Sequence, residues 1–167
     1  MLKIKQIAKL SHLSLSTKIF LEFYNWKNCY PLQSKHLEKK ISDSKVAIIS
    51  SAGLVINNDQ EPFDNNVKMG DSSFRIIPSD VNSNSLSEYH RSDTFDHSGI
   101  KSEPFTALPI PHILDLVKEG FIGSISDSHI SIMGSIVNPS NLIDKTIPNI
   151  ISILKREEVD ITLLIPV

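Results

Sequence analysis

The sequence contains a single cysteine, Cys29, among 167 residues. One cysteine excludes a disulfide within these residues, a cysteine-based zinc cluster and a Cys-x-x-Cys redox pair. We therefore expect a reducing cytoplasmic location and no metal centre. Cys29 has no helix start beside it and Lys27 as its one basic neighbour, so the pattern favours packing over nucleophilic reactivity.

An excess of basic residues and long apolar runs are also missing. Seventeen Lys and Arg against nineteen Asp and Glu give a formal charge of −2 and a pI near 6.3, which is not typical of nucleic-acid binders. No stretch approaches the roughly 18 apolar residues of a membrane helix. The basic start, residues 1–18, is broken by polar side chains and makes a poor signal peptide. We expect a soluble protein with no nucleic-acid partner, no membrane contact and no export signal.

The composition that is present, 40% hydrophobic and 22% charged, is that of an ordinary globular chain of one main domain. Apolar residues recur at helical spacing between Ile4 and Trp26, which predicts a helical arm. We divide the chain into an N-terminal helical arm and loop, residues 1–45, and a domain of residues 46–167.

The domain alternates strand and helix patterns. The predicted strands cover residues 46–50, 74–78, 121–126, 130–133 and 159–167. The predicted helices cover residues 108–120 and residues 138–158, the second with a kink at Pro148. Residues 79–101 are rich in Ser, Asn, Asp and His, which predicts a long loop. This order predicts an α/β fold with a mainly parallel sheet and helices packed on it, incomplete at the C-terminus.

Candidate chemistry lies after the strands, since ligands of open α/β sheets bind beyond the carboxyl ends of the strands. The turn Ser51-Ala52-Gly53 is either a plain strand-ending turn or a source of backbone N–H groups for an anion. The segment from His90 to His97, which also holds Asp93 and Asp96, is a polar loop or a substrate-binding loop, and its spacing matches no zinc signature. Local chemistry alone identifies no reaction.

Five phrases, in this order, resemble the glycine/sarcosine/betaine reductase selenoprotein B family, which includes the selenoprotein subunit of D-proline reductase. They are Val46-Ala-Ile-Ile-Ser-Ser-Ala-Gly53, Gly70-Asp-Ser-Ser-Phe-Arg-Ile-Ile-Pro78, His90-Arg-Ser-Asp-Thr-Phe-Asp-His97, His129-Ile-Ser-Ile-Met-Gly134 and Val159-Asp-Ile-Thr-Leu-Leu-Ile-Pro-Val167. The resemblance covers the chain from about Asn25 to Val167.

The resemblance implies an oxidoreductase that acts reductively on a C–N bond of an amino acid or a betaine-like substrate. In that family the strand like residues 159–167 is followed at once by selenocysteine or cysteine, then by two residues and a cysteine. The resemblance thus implies a chain truncated at a UGA codon after Val167, with no cofactor of its own and no activity by itself. Partner reductase subunits are a further implication.

The resemblance also implies site residues. The implied acid, base or hydrogen-bonding groups are His90, Asp96 and His129, and the implied substrate-binding residues are Ser51, Ala52, Gly53, Arg75, Met133 and Gly134. Arg75 would hold a substrate carboxylate, although surface pairing is the alternative. Where relatives carry an Arg-Leu pair this sequence has His112 and Ile113, a departure that leaves the role of that arginine open.

A second class of function fits the same residues, namely a non-catalytic or vestigial α/β binding domain. The two classes differ in the codons expected after Val167 and in stability. For a truncated chain we expect the last strand to leave Ile161, Leu163 and Ile165 in water, each forfeiting about 1.5–3 kcal/mol of burial. Such a chain would bind a hydrophobic dye, pair with another chain or aggregate.

Overall fold

A computed structural model describes residues 14–24, 35–92 and 96–167. The chain divides into two compact units, Met1–His36 and Leu37–Val167. The described part of the first unit holds helix α1, Leu15–Phe23, inside the predicted helical arm. Cys29, Asp93 and the remainder of the predicted arm lie outside the described residues.

The second unit is built on a five-stranded sheet. Its strands are β1 Lys45–Ser50, β3 Phe74–Pro78, β5 Ser124–Ile125, β6 Ser128–Ile132 and β7 Ile161–Ile165. Strand β1 pairs in parallel with β5 and β7, as predicted for residues 46–50, 121–126 and 159–165, and it also pairs in parallel with β6. Strand β3 pairs antiparallel with β6. The α/β class is confirmed, but the sheet is mixed rather than mainly parallel.

A discontinuity in the sheet separates β5 from β6. Lys45 pairs with Ser124, whereas Ile49 pairs with Ile130, so residues 126 and 127 are extra in the register. The predicted strand over residues 121–126 is therefore shorter than expected. Its first part forms the turn after the helix of residues 110–118 instead, since the N–H groups of Phe121 and Ile122 both donate to the Leu116 carbonyl. Gly123 then packs against residues 43 and 44, where an added Cβ would come within 2.7 Å of the Asp43 carbonyl carbon.

The predicted loop over residues 79–101 is wrong in part. It contains strand β4, Leu86–Glu88, and the start of helix α2, Ser98–Ser102. Strand β4 pairs antiparallel with β2, Leu54–Ile56, to form a separate two-stranded ladder. A strand of three residues carries too little alternation to be found in a polar sequence, and its partner lies about thirty residues earlier in the chain.

Both predicted helices of the domain are present. Helix α3, Ile110–Lys118, has proline in its first turn and buries Ile110 and Ile113. The second begins with a π-helical segment, Leu142–Thr146, and continues as α4, Ile147–Arg156, which buries Ile150 and Ile153. The wide turn lies directly before Pro148, where the missing N–H interrupts the ordinary pattern. Among the described residues, no helix is long and apolar enough to cross a membrane.

The main core packs β1, the β2–β4 ladder and α3 together, and it includes part of β7. Ile161 and Ile165 are partly buried against this core, while Leu164 is 66% exposed and Leu163 37% exposed. The expectation that Ile161, Leu163 and Ile165 form a wetted face is therefore wrong for its two outer members. Residues 161, 163 and 165 share a face with Val46 and Ile48, which the core covers, so the exposed face of β7 is that of Leu164.

Candidate functional site

The carboxyl ends of β1 and β7 are joined by Ser51. Its N–H donates to the Ile165 carbonyl over 3.0 Å, and its Oγ accepts from the Val167 N–H over 2.9 Å. Because β1 and β7 run in parallel, the residues that come after both strands emerge at one edge of the sheet. We call this region, with the turn 51–53, His90 and Gly134, the strand-end site.

The turn after β1 lies close to the end of β6 and to the backbone of His90. Gly53 has a φ of +65°, and an added Cβ would lie 3.0 Å from the His90 backbone nitrogen, so only glycine fits. Its N–H donates to Ile132 and its carbonyl accepts from Tyr89, each over 3.0 Å. The turn thus fixes where residue 90 enters the site.

The backbone donors of this turn are already engaged. Ser51 donates to Ile165, Ala52 donates to the Ser50 hydroxyl over 3.3 Å, and Gly53 donates to Ile132. The geometry is that of a plain strand-ending turn, and it leaves none of these three N–H groups for an anion.

His90 and Gly134 are in direct contact. A Cβ at residue 134 would overlap His90 Nε2 and would lie 3.0 Å from the Ser51 carbonyl oxygen. His90 is 8% exposed, and burial lowers the pKa of its imidazole against the attraction of Glu88, so the ring is neutral at pH 7. The structure therefore brings His90, Gly134 and the Ser51–Gly53 turn together beside the end of β7.

Met133, next to this contact, faces the other way. It forms an isolated bridge with Ala52 and is fully buried with Val55 and Phe63. Its side chain belongs to a small apolar cluster under the site.

His129 lies in the middle of the sheet, opposite Ile48. Its Nδ1 accepts from the Ile48 N–H over 3.1 Å, and Nε2 therefore carries the proton and donates to Ser79 Oγ over 3.2 Å. The ring is fully buried, and burial lowers the pKa of His129 to about 4. His129 thus satisfies a backbone donor that the discontinuity between β5 and β6 would leave without a partner.

Glu157, a residue that no sequence pattern singled out, supports the same discontinuity. Its carboxylate accepts from the Ser126 hydroxyl and from the Ser128 N–H, the latter over 3.0 Å. Burial opposes ionisation of Glu157, but these hydrogen bonds outweigh it and lower the pKa of the carboxyl. A glutamate at a helix end gives no local signal of this role, because both partners lie about thirty residues earlier in the chain.

Arg75 binds a loop of its own chain. Its Nε donates to the Glu61 carbonyl over 2.7 Å and Nη2 donates to the Pro62 carbonyl over 3.1 Å, while Nη1 binds Ser73 and Phe74. The guanidinium carbon lies 4.3 Å from the centre of the Phe63 ring. These contacts hold the loop of residues 61–63 against β3, and they engage the donors that a substrate carboxylate would need.

The loop that Arg75 holds forms one wall of an open depression of about 600 Å³. It is lined by Val55, Asn57, Asn58, Asp59, Gln60, Glu61, Pro62 and Tyr89. Gln60 stabilises this loop, since its Oε1 accepts from the Ile56 N–H and its Nε2 donates to the Ile76 carbonyl.

We expect Arg75→Lys to loosen this loop. Lysine keeps the charge but loses the planar fork and the stacking on Phe63, so the free energy of unfolding should fall by about 1–2 kcal/mol. Amide exchange should accelerate at Glu61 and Phe63, the two residues of this loop that carry a backbone N–H. Arg156→Lys, at an exposed helix end, is the matched control. Equal exchange in both variants would contradict the assigned role.

Asp96 is held at the N-terminal end of α2. Its carboxylate accepts from the Ser98 N–H over 3.0 Å, at the start of α2, and the residue is exposed. Within residues 14–24, 35–92 and 96–167, no group of three His, Cys, Asp or Glu side chains is arranged to hold a metal ion. His112, where the resemblance expected arginine, is exposed on α3.

The fold and the strand-end site together define an α/β domain with polar residues gathered at one edge of a mixed sheet. Comparison by sequence adds a relative, D-proline reductase subunit gamma of Acetoanaerobium sticklandii, which is 32% identical over 126 residues. The aligned region covers 75% of this chain and 50% of the relative, so the chain spans about half of the relative's length. No protein-family model matches, and no solved structure matches. The chain is thus similar to a reductase subunit.

Proposed function

We propose that this chain forms part of a cytoplasmic reductase subunit that acts on a C–N bond of an amino acid or a betaine-like substrate. The similarity to D-proline reductase subunit gamma supports the reaction type and makes D-proline the first substrate to test. The observation that carries the proposal is the strand-end site, where Ser51 binds Val167 and where His90 and Gly134 meet.

We place the redox residue in the continuing chain after β7, as the resemblance to the selenoprotein B family implies. A selenocysteine or cysteine there, paired with a second thiol, supplies two electrons and two protons. They replace the C–N bond by a C–H and an N–H bond, and the pair is oxidised to a bond between its two chalcogen atoms. A residue after Val167 would emerge beside Ser51, which supports this placement.

Within this proposal His90 is the side chain that faces the reacting groups. Its imidazole is neutral at pH 7 and lies against Gly134, beside the turn that binds the end of β7. A neutral imidazole can donate or accept a proton near physiological pH. His129 supports the sheet instead, since both of its ring nitrogens are engaged in the interior.

The test begins with the nucleotides directly after the Val167 codon. The proposal expects UGA or a cysteine codon, then two codons and a cysteine codon. The protein is then produced with cysteine at the first of these positions and continued to the end of the frame. We expect an alkylating agent to modify that cysteine, and D-proline to slow the modification more than L-proline does.

Alkylation needs no partner subunit, so it directly measures whether a substrate protects the redox cysteine. Thiol-dependent consumption of D-proline is then measured with and without partner subunits. A continuation that lacks the cysteine pair would contradict the proposal. So would alkylation that none of D-proline, glycine, sarcosine and betaine slows, and either result would favour a non-catalytic binding domain.

A further inference from the structure

Glu88, at the end of β4, carries a carboxylate that is almost wholly enclosed. Its side chain is 2% exposed, and its register partner Leu54 is a fully buried core residue. Withdrawing a carboxylate from water is costly unless hydrogen bonds and opposite charge compensate. The partners of Glu88 therefore show which groups this buried carboxylate stabilises.

Two of these partners belong to the segment that carries His90. One carboxylate oxygen accepts from the backbone N–H of His90. The other lies 2.9 Å from Nδ1 of His97. Lys101 of α2 approaches the same oxygen at 4.0 Å. Glu88 thus binds the first residue of the segment and a residue seven positions later.

The contacts of His97 define its charge. Nδ1 faces the Glu88 carboxylate, and Nε2 faces the Ser92 carbonyl oxygen at 2.7 Å. A carboxylate and a carbonyl only accept hydrogen bonds, so both ring nitrogens donate and the ring is an imidazolium. Hydrogen bonding to Glu88 raises the pKa of His97, which Lys101 partly opposes.

Ser92 connects His97 to the His90 ring through its two backbone groups. While its carbonyl accepts from His97, its N–H donates to His90 Nδ1 over 3.1 Å. Nδ1 is therefore an acceptor, and the proton of the neutral His90 ring is on Nε2, the atom that lies against Gly134. The hydrogen bonds form a closed cycle through Glu88, His97, Ser92 and His90.

We infer that Glu88 and His97 are positioning residues for His90, which set the place and the tautomer of its ring at the strand-end site. The pair acts through the backbone N–H of His90 and through Ser92, and neither residue needs to touch substrate. The importance of His90 in a reaction rests on the proposed function, whereas its positioning is a property of this chain.

The test uses the 167-residue chain and two variants, Glu88→Gln and His97→Gln. Glutamine at either position keeps the approximate size and removes the charge. Glu119→Gln, at the exposed end of α3, is the matched control. Nitrogen-15 NMR of the histidine rings reports the protonation and tautomer of each imidazole, and urea unfolding shows that each variant is folded.

In the unaltered chain and in Glu119→Gln, we expect His97 to be doubly protonated at pH 6.5 and His90 to carry its proton on Nε2. In Glu88→Gln the titration midpoint of His97 should fall. In both charge-removing variants His90 should show a mixture of tautomers. A folded Glu88→Gln and a folded His97→Gln that both retain the Nε2–H tautomer of His90 would overturn the inference.

The same variants in the continued chain separate this inference from the proposed function. If both hold, D-proline should protect the redox cysteine about tenfold less well in each variant, the effect of one lost hydrogen bond. If D-proline protects neither the unaltered chain nor the variants, the proposed function fails, while the NMR result still decides the positioning.

Discussion

The free energy of unfolding is expected to fall by about 3 kcal/mol as the pH is lowered from 6.5 to about 4, because His129 is held neutral in the fold. The unfolded chain binds a proton at this imidazole near pH 6.5, whereas the folded chain resists it until about pH 4. Above pH 6.5 both states are neutral and the stabilisation is fully present. Protonation would also place a donor on Nδ1 against the Ile48 N–H.

His129→Asn isolates this contribution. Asparagine can place an amide oxygen near the position of Nδ1 and does not titrate, so this variant should be less stable at pH 7 but should lose the added slope between pH 6.5 and about 4. The carboxylates with lowered pKa, Glu157 and Asp71, lose their contributions at lower pH in both proteins. Urea unfolding at half-unit steps of pH measures the difference.

His112→Asn is the matched control, since His112 is exposed on α3 and should leave the slope unchanged. If His129→Asn and the unaltered chain lose the same free energy of unfolding between pH 6.5 and about 4, the assignment of His129 as a buried neutral imidazole is wrong.

The sequence predicted the elements whose signal is local. The β-branched run of β1 and the proline start of α3 derive from patterns of five to ten residues. The alternation of strands and helices along the domain predicted that β1 and β7 run parallel in one sheet. The resemblance implied one pocket near the end of β7 for the turn 51–53, Arg75, His90, Asp96, His129, Met133 and Gly134. The structure brings Ser51, His90 and Gly134 together there, whereas the His129 ring is engaged in the interior and Arg75 binds the loop of residues 61–63.

The features that the sequence did not predict depend on partners far along the chain. Histidine is a common acid–base residue, which is all that the sequence shows of His129. In the fold its Nδ1 accepts a hydrogen bond from the Ile48 N–H, some eighty residues earlier, and the ring lies in the interior. The partners of Arg75 are carbonyls at residues 61 and 62, which no side-chain pattern reveals. Glu88 looks like an ordinary polar residue of a loop until β4 pairs with β2 and encloses it.

Gly134→Ala is expected to displace the His90 ring and to lower the free energy of unfolding by about 1–3 kcal/mol, the usual cost of overfilling a packed contact. The backbone of Gly134 does not have a positive φ, so the cost arises from the contact with His90 and not from the alanine backbone. A shift of residue 134 alone cannot make room for the added methyl group, because its Cβ also lies 3.0 Å from the Ser51 carbonyl oxygen.

Gly99→Ala is the matched control, since an added Cβ there meets nothing within 4 Å. Its stability should stay within about 1 kcal/mol of the unaltered chain, with any change towards higher stability because residue 99 is helical. The decisive comparison is a double-mutant cycle with His90→Ala, measured by urea unfolding. Removing the ring makes room for the new methyl group, so Gly134→Ala should cost clearly less in the His90→Ala background. An equal cost in both backgrounds would mean that Gly134 does not seat His90, and the strand-end site would lose the contact on which its geometry depends.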